Sequence, residues 1–389
     1  MTLISASHHS IDGSIFACKK GGVFVVKLFS PLSVGALTLK NRIIIAPMCM
    51  YSANNGELQP WHWQHYGNLA QSAAGMLIIE ASAVAPEGRI SYADVGLWND
   101  ECQQALQQLV DNIRRDSDMP LLVQLGHAGR KASCDKPWDG GQQLPASDKR
   151  SWQTIAPSAL PFTEGQRPPQ AMTKIQIDDC ISQFVAAAKR AHAAGINGVE
   201  LHAAHGYLLH QFLSPLSNRR DDEFGGSLGN RMRLPLAIFD AVRAALPRDF
   251  VVGVRISATD WVDGGWDLPQ SIEFARELDR RGCDYIHVSS GGLSEKQQIA
   301  IGAGYQVPFA AAITAQVQMP VIAVGLITDP LQAEKILQQQ QADAIALARG
   351  ILYDPRWPWH AAAALGAEVQ AAPQYLRCQP HGFKTLLHR

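Results

Sequence analysis

The 389-residue chain lacks a strong charge of either sign: 34 Lys+Arg stand against 35 Asp+Glu, a formal net charge of -1. Without a global basic field, neither nucleic acid nor an anionic membrane surface is held by charge alone. There is no C-x-x-C pair, and the seven cysteines (Cys18, Cys49, Cys102, Cys134, Cys180, Cys283 and Cys378) are odd in number and widely spaced. This argues against a disulfide scaffold, a zinc ribbon and a cysteine-ligated iron–sulfur cluster, and makes a reducing cytoplasm the simplest compartment. No apolar run reaches the roughly 20 residues of a membrane span. The G-x-G-x-x-G string of a doubly wound nucleotide-binding sheet is missing, as is a P-loop. The first 22 residues carry His8, His9, Asp12, Lys19 and Lys20 without a sustained apolar stretch, so they fail as a secretory signal. Residues 1–27 read as a flexible leader, with packed structure beginning at Leu28.

What is present is repetition. Short runs rich in Val, Ile and Leu alternate with longer stretches of helical period. The runs are Ile43–Pro47, Met76–Ala81, Leu121–Leu125, Gly198–His202, Val251–Ser257, Tyr285–Ser289, Val321–Gly325 and Ala344–Ala348. Each is nearly continuous rather than alternating, as expected of parallel strands buried on both faces. The helical stretches are 62–72, 101–115, 177–194, 232–246, 268–281, 309–317, 330–339 and 355–363. Asp100 and Asp329 read as start signals, and Gly195 and Gly282 as stops. About eight β-then-α units without a low-complexity linker predict a single-domain (β/α)8 TIM barrel. The loop from Lys131 to about Ile175 is long and rich in proline, with Trp138 and Trp152, and reads as a structured lid.

Polar and special residues gather where the strands end: Cys49 and Tyr51, Gln124 and His127, His202 and His205, Arg255, Ser289–Gly292, Gly325 and Arg349. In a barrel these positions share one mouth, the face that carries the active site. His202 and His205, three apart, can donate two hydrogen bonds to one carbonyl or phenolate oxygen; the rival readings are half of a metal site and a purely structural pair, and the position at the fourth strand's end moves weight to oxygen binding. His62 and His65 repeat that spacing among aromatics at a helix start, where packing and surface hydrogen bonds explain them. Gly325 with Ala348-Arg349-Gly350 suits a phosphate cup, or simply tight turns and a surface ion pair. Arg255 lies inside an apolar strand and needs either a bound anion or an internal carboxylate. Cys49 is a small buried hydrophobe or a contact to a cofactor, and no basic neighbour argues for a reactive thiolate.

Taken together, the strings resemble the old yellow enzyme family, and its short bacterial branch of xenobiotic reductases and thermophilic-like ene-reductases. They are Leu28-Phe29-Ser30-Pro31-Leu32, Leu39-Lys40-Asn41-Arg42-Ile43, Ala46-Pro47-Met48-Cys49-Met50-Tyr51, Glu80-Ala81-Ser82-Ala83-Val84 and Gln124-Leu125-Gly126-His127-Ala128-Gly129-Arg130-Lys131. His202-Ala203-Ala204-His205-Gly206-Tyr207, Phe212-Leu213-Ser214-Pro215, Asp222-Glu223-Phe224-Gly225-Gly226-Ser227 with Asn230-Arg231, and Val324-Gly325-Leu326-Ile327-Thr328 complete the set. The resemblance spans residues 28–378, leaving 379–389 as a C-terminal tail. It implies noncovalent FMN held by Ala46, Pro47, Met48, Cys49, Ala81, Gln124, Arg255, Gly325, Ala348 and Arg349. It further implies ping-pong reduction of an electron-poor alkene, such as an α,β-unsaturated carbonyl compound, by NADPH or NADH through flavin N5. His202 and His205 are then the grip on the substrate oxygen, Tyr207 the proton donor and Tyr51 a substrate contact. Arg377 is the implied finger into a neighbouring subunit's site, in a homodimer or homotetramer.

Overall fold

The computed structural model describes residues 25–389. Eight parallel strands close a barrel in chain order. They are β1 (Ile43–Ile45), β2 (Met76–Ala83), β3 (Leu121–Gly126), β4 (Gly198–Ala203), β5 (Val251–Ser257), β6 (Ile286–Ser289), β7 (Val321–Val324) and β8 (Ala344–Leu347). The last strand closes on the first, with Ile345 opposite Ile43 and Ala346 opposite Ile44. Around the barrel lie α1 (Pro60–Ala70), α2 (Asp100–Arg114), α3 (Lys174–Ala193), α4 (Leu228–Ala245), α5 (Leu268–Arg280), α6 (Val307–Thr314), α7 (Pro330–Gln338) and α8 (Trp357–Leu365). The eight strand and eight helix expectations all correspond to observed elements, with ends shifted by a few residues.

The strand pattern has a direct physical cause. Ile43 and Ile45 pack outward into the strand–helix layer, with Leu77, Ile79, Val123, Val252 and Val254. Ile44 points inward, with Met76, Ile78, Leu122 and Ile322. Both faces are apolar, so the alternation of a half-exposed strand disappears. A hairpin that the strand pattern did not reveal, Leu32–Val34 paired with Leu37–Leu39, adds Val34 and Leu39 to the inner cluster and seals the barrel floor.

Caps account for the shifted helix ends. Asn99, not Asp100, accepts the Cys102 N–H at the start of α2. The Ser227 side chain starts α4 four residues earlier than the periodicity suggests, and Pro235 is accommodated inside the helix. A reciprocal cap between Gln59 and His62 starts α1 at Pro60. Gly195 and Gly282 adopt φ of 82° and 78° just past α3 and α5, conformations that favour glycine.

The expected lid is structured. It holds a short turn at Pro137–Asp139 and two paired strand fragments, Ile155–Ala156 and Gln170–Ala171. The expected leader lies almost wholly outside the described residues, which start at Val25. Residues 379–389 return to the body, where Leu387–His388 pairs with Val369–Gln370 and Leu386 and Leu387 pack near Trp359. Among the described residues no helix is long and apolar enough to cross a membrane.

Candidate active site

Parallel closure brings the C-terminal ends of all eight strands to one rim. Register then sets the neighbours: Gln124 lies opposite Glu200, His202 opposite Arg255 and Arg255 opposite His287. An inward side chain near this rim meets other polar inward side chains, and the apolar filling of the floor gives way to a polar layer.

His202 and His205 come together at the rim. Their ring centroids are 5.1 Å apart at 83°, and the His202 ring lies 5.0 Å from that of Tyr207. Burial, then the positive charge of Arg255, holds both imidazoles well below the usual histidine pKa. Both are therefore neutral near pH 7, with one N–H each. The Ala204 N–H donates to Nδ1 of His202 at 3.3 Å, which places the His202 proton on Nε2. Nε2 of His205 lies 2.8 Å from Oγ of Ser289, and its backbone N–H donates to Oγ of Ser257 at 2.9 Å.

The His205 turn is tight. His205 has φ 57° and Gly206 φ 74°, and a Cβ on Gly206 would stand 2.2 Å from the Gly292 carbonyl oxygen. Lys131 ties the turn down, its Nζ donating to the carbonyls of His205 and Gly292, both at 2.9 Å. The Gly206 N–H donates to Nδ1 of His210, whose Nε2 lies 2.9 Å from buried Asp260. Burial, with nearby Cys49 and Tyr51, pushes the Tyr207 phenol well above its usual pKa, so it carries its proton. A cleft bordered by Ala81, Gly126, His127, Asp94, His202 and Tyr207 opens beside it.

The remaining expected residues fall in several places. Ala46 is buried and donates its N–H to the Leu347 carbonyl, joining β1 to β8. Pro47, Met48 and Cys49 follow directly along the rim. Burial pushes the Cys49 thiol well up, with Asp94 and Glu80 adding to the effect, which keeps it protonated and poorly nucleophilic. Tyr51, at φ 48°, meets the edge of Trp138 of the lid, centroids 5.9 Å apart. Ala81 is half-buried in β2, and Gln124 and Arg255 are buried. Gly325 has φ 130°, and a Cβ there would come 2.8 Å from the Gln306 amide. Ala348 caps the short helix Arg349–Tyr353, whose first residue is exposed. Tyr305, which the sequence reading did not single out, lies within electrostatic reach of both Arg349 and Arg255. Arg377 is exposed, in a turn at Pro373–Cys378 where Tyr375 packs on Trp359 of α8. It is not among the rim residues of this chain.

His62 is not a surface residue: it is fully buried, with Nε2 3.4 Å from Oε1 of Glu80. Burial lowers His62 to about 4 and raises Glu80 to about 8, so the pair is neutral and structural. Among the described residues no three His, Cys, Asp or Glu side chains form a metal-binding cluster.

The sequence reading missed one group. Glu200, inside β4, is fully buried and accepts from Nε2 of Gln124 at 2.7 Å and from the Tyr285 hydroxyl at 3.2 Å. Nδ1 of His287 lies 3.0 Å from it. The signal was a carboxylate inside the apolar run Gly198–His202, the same anomaly that singled out Arg255. Nε of Arg255 has no hydrogen-bond partner among the described residues, and burial lowers its pKa while Glu200 opposes the shift.

The profile of the NADH:flavin oxidoreductase / NADH oxidase family matches residues 27–368. The chain is 43% identical over 352 residues to an NADPH dehydrogenase of Geobacillus sp., covering 90% of this chain and 98% of the relative. It is 41% identical over 353 residues to the NADPH dehydrogenase of Bacillus subtilis, with the same two coverages. Among solved structures, morphinone reductase in complex with tetrahydroNAD superposes with a TM-score of 0.71 at 28% identity, covering 93% of this chain and 94% of that one. 2-Naphthoyl-CoA reductase shares the fold with a TM-score of 0.78 at 23% identity, covering 88% of this chain and 52% of that one.

Proposed function

Since the chain belongs to the NADH:flavin oxidoreductase / NADH oxidase family, we propose that it is an FMN-dependent NADPH dehydrogenase that reduces the activated C=C bond of α,β-unsaturated carbonyl compounds. The observation that carries the reading is the pair of buried, neutral imidazoles, His202 and His205, beside the protonated Tyr207 phenol at one rim.

The residues present fit FMN. Arg255 is a buried cation whose Nε lacks a protein partner, suited to the electron-rich N1/C2 side of the ring system. Gln124 has its NH2 engaged, leaving an acceptor for the pyrimidine edge. Ala46, Pro47, Met48, Cys49 and Ala81 would line the ring, and Gly325, Ala348 and Arg349 would hold the phosphate, where a side chain at Gly325 would crowd Gln306. When bound, FMN supplies a two-electron carrier that is charged by NADPH or NADH and discharged from N5 onto the β-carbon of the alkene, in ping-pong order.

The chain's own groups do the rest. The Nε2–H of His202 binds the substrate carbonyl oxygen. The second donor is the Nδ1–H of His205, in the tautomer whose Nε2, 2.8 Å from Oγ of Ser289, accepts the hydroxyl proton. Two fixed donors stabilise the charge that grows on the oxygen as the β-carbon is reduced. The Tyr207 hydroxyl delivers its proton to the α-carbon, and Tyr51, braced by Trp138, walls the same space. The reading places the enzyme in the cytoplasm as a homodimer or homotetramer, with Arg377 offered to the neighbouring subunit's site.

The purified protein should be yellow, oxidise NADPH and be reoxidised by 2-cyclohexenone. Tyr207→Phe should slow the reoxidation at least about tenfold while leaving flavin reduction by NADPH unchanged in anaerobic stopped flow. A colourless protein that takes up no FMN overturns the reading; a variant with both half-reactions at wild-type rates overturns the role of Tyr207.

A further inference from the structure

Glu200 is an expensive residue to keep. It is fully buried within the barrel, where an uncompensated carboxylate is strongly disfavoured. The surrounding strands are built to hold it. Gln124, its register partner on β3, donates from Nε2 at 2.7 Å. Tyr285, just before β6, donates its hydroxyl at 3.2 Å, and His287 approaches at 3.0 Å. The Tyr285 ring reaches this point only because residue 253 is glycine: a Cβ there would lie 2.1 Å from Cε1 of the ring. Burial alone would raise the Glu200 carboxyl, but His287, Arg255 and Gln124 outweigh it and hold it below the usual range. The group is a carboxylate. It touches neither the two histidines nor Tyr207, so the proposed chemistry gives it no direct part.

We propose that Glu200 is a positioning residue for the cofactor: it locks the Gln124 amide with its carbonyl oxygen toward the flavin pyrimidine edge, and it is the counter-charge to Arg255 that sets the flavin reduction potential. This rests on the FMN reading above. The locking follows from valence. A carboxylate only accepts, so the Gln124 nitrogen must face Glu200 and Oε1 is left for the other side. The pyrimidine edge of an isoalloxazine carries one donor, N3–H, between two carbonyls, and an amide oxygen is its complement. The potential follows from charge. Two-electron reduction puts negative charge on the N1/C2 side. Arg255 favours that charge, and the Glu200 carboxylate, whose register partner Gly253 lies two residues before Arg255 on the same inward face of β5, offsets part of the effect.

Glu200→Gln preserves shape and removes the charge. Apoprotein of the variant is titrated with FMN, and the midpoint potential of the reconstituted flavin is measured against a reference dye. The expected result is a positive shift of the potential, because the Arg255 charge is no longer compensated. FMN affinity should weaken by about tenfold, because a glutamine at 200 lets Gln124 turn over. General loosening of the pocket would weaken both oxidation states alike and leave the potential in place. Tyr285→Phe, which keeps the carboxylate and removes one donor that neutralises part of its charge, should move the potential the opposite way, negatively and by less. If Glu200→Gln fails to fold, Tyr285→Phe decides. A wild-type potential in the folded variant overturns the inference and leaves the FMN reading standing; wild-type protein that binds no FMN overturns both.

Discussion

A histidine proposed to grip a substrate oxygen is useful only in one protonation state, and the two at this rim are held neutral by their surroundings. Burial and Arg255 keep His202 and His205 neutral, the Ala204 N–H leaves the His202 proton on Nε2, and Nε2 of His205 is paired with the Ser289 hydroxyl. An oxyanion between them gains two aimed donors without competition from a protonated ring. A phenol such as 4-hydroxybenzaldehyde, bound as its anion, is the direct probe of this arrangement. His202→Ala combined with His205→Ala should weaken its binding by roughly a hundredfold, the loss of two hydrogen bonds to a charged oxygen. The charge-transfer absorbance of the bound phenol reports it, and unchanged affinity would remove both residues from the oxygen grip.

At the scale of single elements, β5 shows how one strand serves fold and site together. Val252, Val254 and Ile256 pack outward; Gly253 makes room for Tyr285, and Arg255 faces the rim. Gly253→Ala should cost about 1–3 kcal/mol, the usual price of overpacking, and a chemical melt together with tyrosine fluorescence would show it; a variant as stable as wild type would mean that Tyr285 is free to move. The same strand explains what the sequence disclosed. A run apolar on both faces has one architecture open to it in a chain of β-then-α units, so all eight barrel strands could be read directly. The floor hairpin could not: Leu32–Val34 and Leu37–Leu39 are three residues each, too short for a period to register. Of the site, His202, His205, Tyr207, Arg255 and Gln124 were legible because they interrupt apolar strands or follow them at once. The partners Glu200, Tyr285 and His287 were not assigned, since only register places side chains from neighbouring strands around one carboxylate. Sequence signals for caps identified the right helices but the wrong first residue in α2, because Asn99 and Asp100 are chemically equivalent candidates and backbone geometry chooses.

At the scale of the whole molecule, buried ionisable groups pull stability in two directions with pH. Burial lowers His62, His65 and His127 to about 4, and lowers His202, His205 and His287 as well. As pH falls from 6.5 toward 4, the unfolded chain takes up protons that the folded chain refuses, so stability drops. Asp94, raised to about 6, and Glu80, raised to about 8, act oppositely: the folded chain keeps protons that the unfolded chain has released, so their contribution fades as pH rises from about 4 through those values. The six lowered imidazoles, joined by the lowered carboxyls Glu200 and Asp260, outweigh the raised carboxyls Asp94, Glu80 and Asp284 and leave the acid side the weaker one. Thermal unfolding should show its highest midpoint near pH 6–7 and a fall toward pH 4, and His127→Gln should flatten that fall. A midpoint that rises toward pH 4 would contradict the assignment.

The hydrogen bond from the Ala46 N–H to the Leu347 carbonyl has a consequence in time. It splices the opening stretch of the cylinder to its final stave, so Ala46–Cys49 and Ala348–Arg349 become neighbours only once both ends of the polypeptide exist. On the proposed reading, a ribosome still translating the seventh repeat holds both His202 and His205 but only half of the residues that would cradle FMN, and coenzyme capture would wait for the eighth strand.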